Sequence, residues 1–201
     1  MERLLTFATP IWVMQLPELA PQRARWVETV RLLRRQSSAD LERRSNRAGW
    51  RSSNTLLDHP EFKPLQLRLL ESVKLVLADY GVKPGSMVLN MIGWANVHDR
   101  GGFNHAHVHS GSLLSGTLYL STPPGSGALF FTDPRPAALM EELPLDGTRA
   151  DSPASRKRLR VEPRELQLVM FPSWLEHGVD ECECDERISI AFNVQPVLAR
   201  P

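Results

Sequence analysis

Asn104-His105-Ala106-His107-Val108-His109 runs through a short Ser/Gly link into Ser115-Gly116-Thr117-Leu118-Tyr119-Leu120. Three of the chain's six histidines stand here at alternate positions. In an extended strand alternate side chains share one face, so His105, His107 and His109 are expected on the same side. Imidazole is the commonest metal ligand among side chains. Metal–nitrogen bonds of about 2.0–2.1 Å demand tight convergence. Neighbouring histidines of the set are spaced about 6.6 Å along a strand, and the outer two about twice that. One ion can therefore use His105 with His107, or His107 with His109.

A partner for that pair lies far along the chain. His177 follows an apolar run and a proline turn in Phe171-Pro172-Ser173-Trp174-Leu175-Glu176-His177-Gly178-Val179. Two histidines from one strand and a third from the start of a distant strand build a mononuclear site in a barrel mouth. Further on, Arg187-Ile188-Ser189-Ile190-Ala191-Phe192-Asn193-Val194 alternates cleanly. Ile188, Ile190, Phe192 and Val194 are expected to face the helices, and Arg187, Ser189, Ala191 and Asn193 the interior. Burying an arginine is costly without a partner. Its planar fork suits a carboxylate: either an internal acid or, beside a histidine site, a bound carboxylate ligand.

Around these blocks the chain reads as one domain of 201 residues. Residues 1–85 supply a strand and supporting helices, and residues 86–201 a barrel core. A first strand is expected within residues 7–16. A helix over 18–36 buries Trp26, Val27, Val30 and Leu33 and turns its arginines to solvent. Residues 37–55 read as irregular, with Gly49-Trp50 as an anchor. A second helix over 60–80, with Asp58 as N-cap and Pro60 in its first turn, buries Leu65, Leu69, Val73, Val76 and Leu77. Strands follow in 86–94, the histidine stretch, 116–122, 128–132, 166–171 and 187–194. Asp99-Arg100-Gly101-Gly102 marks a turn. Helices followed by many short strands make an α+β protein whose strands close into a sandwich or barrel. Residues 133–165, rich in proline and carrying Arg156-Lys157-Arg158 and Arg160, form a long loop, read as a lid or a solvated segment.

The net charge of +1 and hydrophobic content of 42% argue against nucleic acid or a membrane surface as partner. With no basic-then-apolar leader and no run long enough to span a bilayer, a cytoplasmic location is expected. Cys182 and Cys184, set among acidic residues, read as an exposed turn rather than a metal site. His59 reads as a surface residue beside Pro60. His98 is placed on a loop beside Asp99 and given no role.

Residues 107–120, Asp133-Pro134-Arg135, residues 171–179 and residues 187–193 together resemble the Fe(II)/2-oxoglutarate-dependent oxygenases of bacteria and phages. Their pattern is H-x-H-P-x-S-x-x-S-G, then F-P-S-x-L-x-H, then R-x-S-x-x-F-N. The resemblance covers residues 94–194. It implies a double-stranded β-helix, a jelly-roll or cupin-like barrel, with the two N-terminal helices packed on it. It implies Fe(II) as cofactor, 2-oxoglutarate as cosubstrate, and hydroxylation of a substrate with release of succinate and CO2. His107 and His177 match iron ligands. His109 stands where the wider superfamily has an aspartate, and Ser110 where proline is common; the spacing to Tyr119 favours His109 over His105. Arg187 matches the anchor of the distal carboxylate of 2-oxoglutarate, Ser189 the hydroxyl beside it, and Tyr119 a second contact. Asn96 falls where a polar residue meets the other end of the cosubstrate. A three-histidine site carries one more positive charge than the carboxylate version and favours anionic ligands. The expected partners are a small-molecule or peptide substrate, with a second copy of the chain as a further candidate.

Two other classes fit parts of the pattern. A zinc hydratase or hydrolase could use three histidines and an open position, but it gives Arg187 and Ser189 no task. A non-catalytic cupin-like module would hold a metal or small ligand, but Leu113 and Leu114 occupy the region where that pattern has glutamate.

Overall fold

One strand, β3 (Val88–His107), organises the sheet. It is preceded by β1 (Trp12–Gln15), helix α1 (Ala20–Gln36), β2 (Asn46–Arg51) and helix α2 (Lys63–Asp79). After it come β4 (Leu114–Ser121), β5 (Leu129–Thr132), the short helix α3 (Pro136–Met140), β6 (Arg158–Val161), β7 (Gln167–Pro172), β8 (His177–Val179) and β9 (Arg187–Val197). The computed structural model describes residue 2 and residues 6–37, 46–142, 144 and 156–197. The middle of the expected lid and the start of the 37–55 segment lie outside these. No helix among the described residues is long and apolar enough to cross a membrane.

The strand order is β1-β7-β4-β9-β3-β8-β5-β6, antiparallel throughout, with β2 on the other edge of β3. The first half of β3 runs beside β9, from Val88 opposite Val197 to His98 opposite Arg187. Its last residues pair instead with β8, Asn104 opposite Val179 and His107 opposite His177. A single strand thus belongs to both layers of a curled, double-stranded β-helix.

The alternation of β9 decides which side is which. Ile188, Ile190, Phe192 and Val194 are fully buried in the larger core, with Trp26 and Val30 of α1 and Leu65, Leu69, Val73 and Val76 of α2. Each such aliphatic side chain contributes roughly 1.5–3 kcal/mol. Trp26 stacks on Phe62 with ring centroids 6.3 Å apart, and its Nε1–H donates to the Glu61 carbonyl at 3.0 Å. A smaller core of Tyr119, Leu129, Phe131, Val169, Phe171 and Leu175 fills the other side.

The structure corrects several sequence expectations. The first strand starts at Trp12, and Phe7 is 93% exposed. Residues 46–51 are strand, not irregular. Asp58 does not cap α2. Leu56–Asp58 is itself a tight turn, and His59 caps the next one, its Nδ1 accepting from the Glu61 N–H at 3.1 Å. Asp99-Arg100-Gly101-Gly102 is not a turn, because β3 continues through it. Gly101, at φ +80°, donates to the Cys182 carbonyl, and the Gly102 carbonyl accepts from the Cys182 N–H. Cys182 and Cys184 are both buried thiols, their sulfurs 3.0 Å apart. Two of the basic residues expected in the lid pack locally: Arg158 lies over the Phe130 ring and Arg160 pairs with Asp180.

Candidate metal centre

His107 ends β3, His109 lies two residues beyond, and His177 opens β8. Their candidate ligand atoms lie within 4.8 Å of one another. The ring centroids are 4.4 Å apart for His107 and His177, 4.9 Å for His107 and His109, and 5.1 Å for His109 and His177. His105 is not in the group. It is exposed, with its ring against Phe103. The physical reason is a bulge. Between the pairs Asn104–Val179 and His107–His177, β3 spends one residue more than β8. An extra residue breaks the alternation of faces, so Asn104 and His107 line the cavity while His105 turns out.

Hydrogen bonds settle the tautomers of two rings. His107 Nδ1 lies 2.7 Å from the His105 carbonyl, and His177 Nδ1 lies 2.8 Å from the Leu175 carbonyl. A carbonyl only accepts, so each Nδ1 carries the proton and each Nε2 keeps its lone pair. Such a backbone partner is how a metal-binding imidazole is oriented. Burial lowers all three pKa values, His177 to about 3 and His109 to about 4. Neutral rings are what a cation requires.

Buried imidazoles also make a pH prediction. His98, His109 and His177 resist protonation when folded but regain a value near 6.5 when unfolded. The unfolded chain therefore binds more protons below about 6.5, and stability falls with acid. The urea midpoint of the metal-free protein should be flat above that pH. It should decline between 6.5 and 5, before most carboxylates titrate. A flat profile there would contradict neutral buried rings.

Cross-strand register places the remaining polar residues. On the cavity side Asn96 faces Ser189 and His98 faces Arg187, across β3 and β9. Tyr119 faces Ser189 from β4. Arg187 is 1% exposed, and its Nη1 donates to His98 Nδ1 at 3.1 Å and Ser189 Oγ at 3.3 Å. Its guanidinium lies 5.0 Å from the centroid of the Tyr119 ring. No carboxylate pairs with it among the described residues, so the internal salt bridge is not what holds it. Arg187 Nε, Asn96 Oδ1 and Tyr119 Oη are buried with no hydrogen-bond partner among the described residues. The cavity, about 290 Å³, is lined by both Arg51 and Arg187, and among the described residues no Asp or Glu lines it. Arg51 lies over the Trp94 ring at 4.3 Å, and Trp94 meets His109 edge-on.

His98 corrects the sequence reading most. It is on β3, 1% exposed and in contact with Arg187, not on a loop. Its position opposite Arg187 follows from continuing the strand beyond Trp94, a signal hidden by the glycines that follow. Three short sequence blocks also meet behind the site. Ser115 Oγ donates to Asn193 Oδ1 at 2.8 Å and lies 2.8 Å from Ser173 Oγ, all three buried.

Gly178 shows how tightly β8 is seated. A Cβ there would lie 2.5 Å from the Phe130 ring and 2.7 Å from the Asn104 carbonyl oxygen. The ring could turn but the carbonyl belongs to β3. Gly178→Ala should therefore cost about 1–3 kcal/mol and draw His177 away from His107. Thermal melts should show the loss of stability, and metal titration a weaker site. Unchanged affinity would mean that β8 tolerates the shift.

The fold is an antiparallel double-stranded β-helix with a histidine cluster and a buried arginine in its mouth. Residues 93–193 match the family model described as Putative 2OG-Fe(II) oxygenase, and the chain belongs to that family. Its members are oxidoreductases that use iron and 2-oxoglutarate. No curated protein matches the sequence significantly. Among solved structures, a Pseudomonas putida prolyl-4-hydroxylase is similar at 16% identity and a TM-score of 0.64, covering 94% of each chain. HygX from Streptomyces hygroscopicus, with nickel and 2-oxoglutarate bound, is similar at 15% identity and 0.63, over 94% of this chain and 84% of that one. The viral collagen prolyl hydroxylase of Paramecium Bursaria Chlorella virus-1, a 2-oxoglutarate complex, follows at 11% and 0.58, over 93% and 96%.

Proposed function

We propose that the protein is a hydroxylase in which His107, His109 and His177 hold Fe(II) and Arg187 anchors 2-oxoglutarate. One observation carries this reading. Three neutral imidazoles, two with Nε2 free, share a cavity with an arginine whose Nε is buried without a partner. Among the described residues the lining offers cations and no carboxylate, which suits a dianionic cosubstrate.

Ser189 and Tyr119 complete the carboxylate end, and Asn96 Oδ1 is a further orphan polar atom on the cavity side. The carbonyls of His105 and Leu175 keep the Nδ1 protons of His107 and His177 in place. Phe171, Leu129 and Val179 supply apolar walls that keep water from the reacting groups. When bound, iron and 2-oxoglutarate supply the oxidation: with dioxygen they give succinate and CO2, and one oxygen atom enters the substrate. The substrate is a small molecule or a peptide, and the reaction belongs in the cytoplasm. The expected homodimer is checked by light scattering.

Purified protein given Fe(II), ascorbate and 2-oxoglutarate should form succinate, slowly without the substrate and faster with it. Protein that neither binds nor consumes 2-oxoglutarate ends this reading. Zinc retained in preference to iron, with no succinate formed, would favour the hydratase.

A further inference from the structure

We infer that His98 and Asn104 are positioning residues that hold Arg187 in the orientation in which it takes the distal carboxylate of 2-oxoglutarate. The role presupposes Arg187 as the cosubstrate anchor.

The direction of each hydrogen bond is forced. Arginine can only donate, so His98 Nδ1, 3.1 Å from Arg187 Nη1, must be the unprotonated nitrogen. The ring's one proton is then on Nε2, which lies 2.6 Å from Asn104 Oδ1 and donates to it. The chain runs Arg187 to His98 to Asn104, each donor meeting an acceptor, and all three residues are buried. Burial and the neighbouring guanidinium hold His98 near a pKa of 3, so the acceptor persists at neutral pH.

Such an arrangement is more than filler. A buried polar ring costs free energy that an apolar side chain would not. Without His98, the shortest polar contact fixing Nη1 would be lost, and the longer one to Ser189 would remain. Asn104 also sits where β3 leaves its regular register, three residues before His107. The chain therefore ties the arginine of one sheet layer to the strand end that bears a metal ligand. It sets the span between the two ends of a bound dicarboxylate.

The test compares two ligands on nickel-loaded protein. 2-Oxoglutarate uses metal and arginine, whereas oxalate has no distal carboxylate and uses the metal alone. His98→Leu should weaken 2-oxoglutarate about 10-fold or more, the range expected for a lost hydrogen bond to a charged group. Oxalate affinity and nickel content should stay within about twofold by the same reasoning. His98→Gln, which offers both an acceptor and a donor, should restore most of the loss. Asn104→Ser should show the same selective weakening in milder form, and it provides the measurement if His98→Leu does not fold. Equal loss for both ligands, or unchanged 2-oxoglutarate affinity, overturns the positioning role while leaving the site assignment standing. Wild-type protein that binds oxalate but not 2-oxoglutarate overturns Arg187 as anchor and the positioning role with it.

Discussion

His177→Ala is expected to strip iron from the protein and abolish succinate formation. Apparent binding free energies of four-ligand structural zinc sites are about 10–16 kcal/mol. One ligand's share, about a quarter, corresponds to a loss on the order of 100-fold or more in metal affinity. His177 is suited to carry that share. It is 5% exposed, its Nδ1 is tied to Leu175, and its ring lies 4.5 Å from that of Phe171. Its removal also leaves space against Phe131 and Phe171, so a loss of stability of about 1–3 kcal/mol should accompany it. His105→Ala is the control, since that ring is turned outward and should leave metal binding unchanged. Metal content after dialysis, read with turnover, separates the outcomes. Full iron occupancy in His177→Ala, or equal loss in His105→Ala, would assign the site wrongly.

Arg187→Ala should spare the metal and raise the KM for 2-oxoglutarate. Truncating one partner of a buried, hydrogen-bonded charge pair costs about 2–5 kcal/mol, which is roughly 30-fold to several thousandfold in affinity. The unliganded protein should tolerate the change. Arg187 is held by a neutral ring, a hydroxyl and the face of Tyr119. Removing its desolvated charge offsets part of the lost packing. Titration of 2-oxoglutarate, with a melt on the same sample, checks this. An unfolded or metal-depleted variant would make Arg187 a structural residue, and an unchanged KM would remove it from the cosubstrate site.

The parts of the site that could be read in the sequence are those that obey a strict period. Ile188, Ile190, Phe192 and Val194 alternate because one face of β9 meets two helices, so Arg187 and Ser189 had to face the cavity. His107, His109 and His177 stood out because histidines are few and are set beside strand signals. The bulge between Asn104 and His107 left no such mark. It is a product of how β8 seats on β3, and it turned His105 out and Asn104 in. The buried cysteines were legible after all. Glu181, Glu183 and Asp185 are exposed while Cys182 and Cys184 are buried, a plain alternation that the density of charge obscured. His98 was lost to the glycines after it, which look like a turn but lie within a paired strand.

Because β3 passes from one layer into the other, the ion would act as a rivet between them. Amides in the first half of the strand, paired to β9 on one edge, should exchange with solvent only when the whole molecule opens. Those near His107, held by the short β8 and by a bulged register, can open in a smaller unit. Metal joining His107 to His177 would merge that unit with the rest. Cofactor loading would then set not only reactivity but also how much of the chain unfolds as one piece.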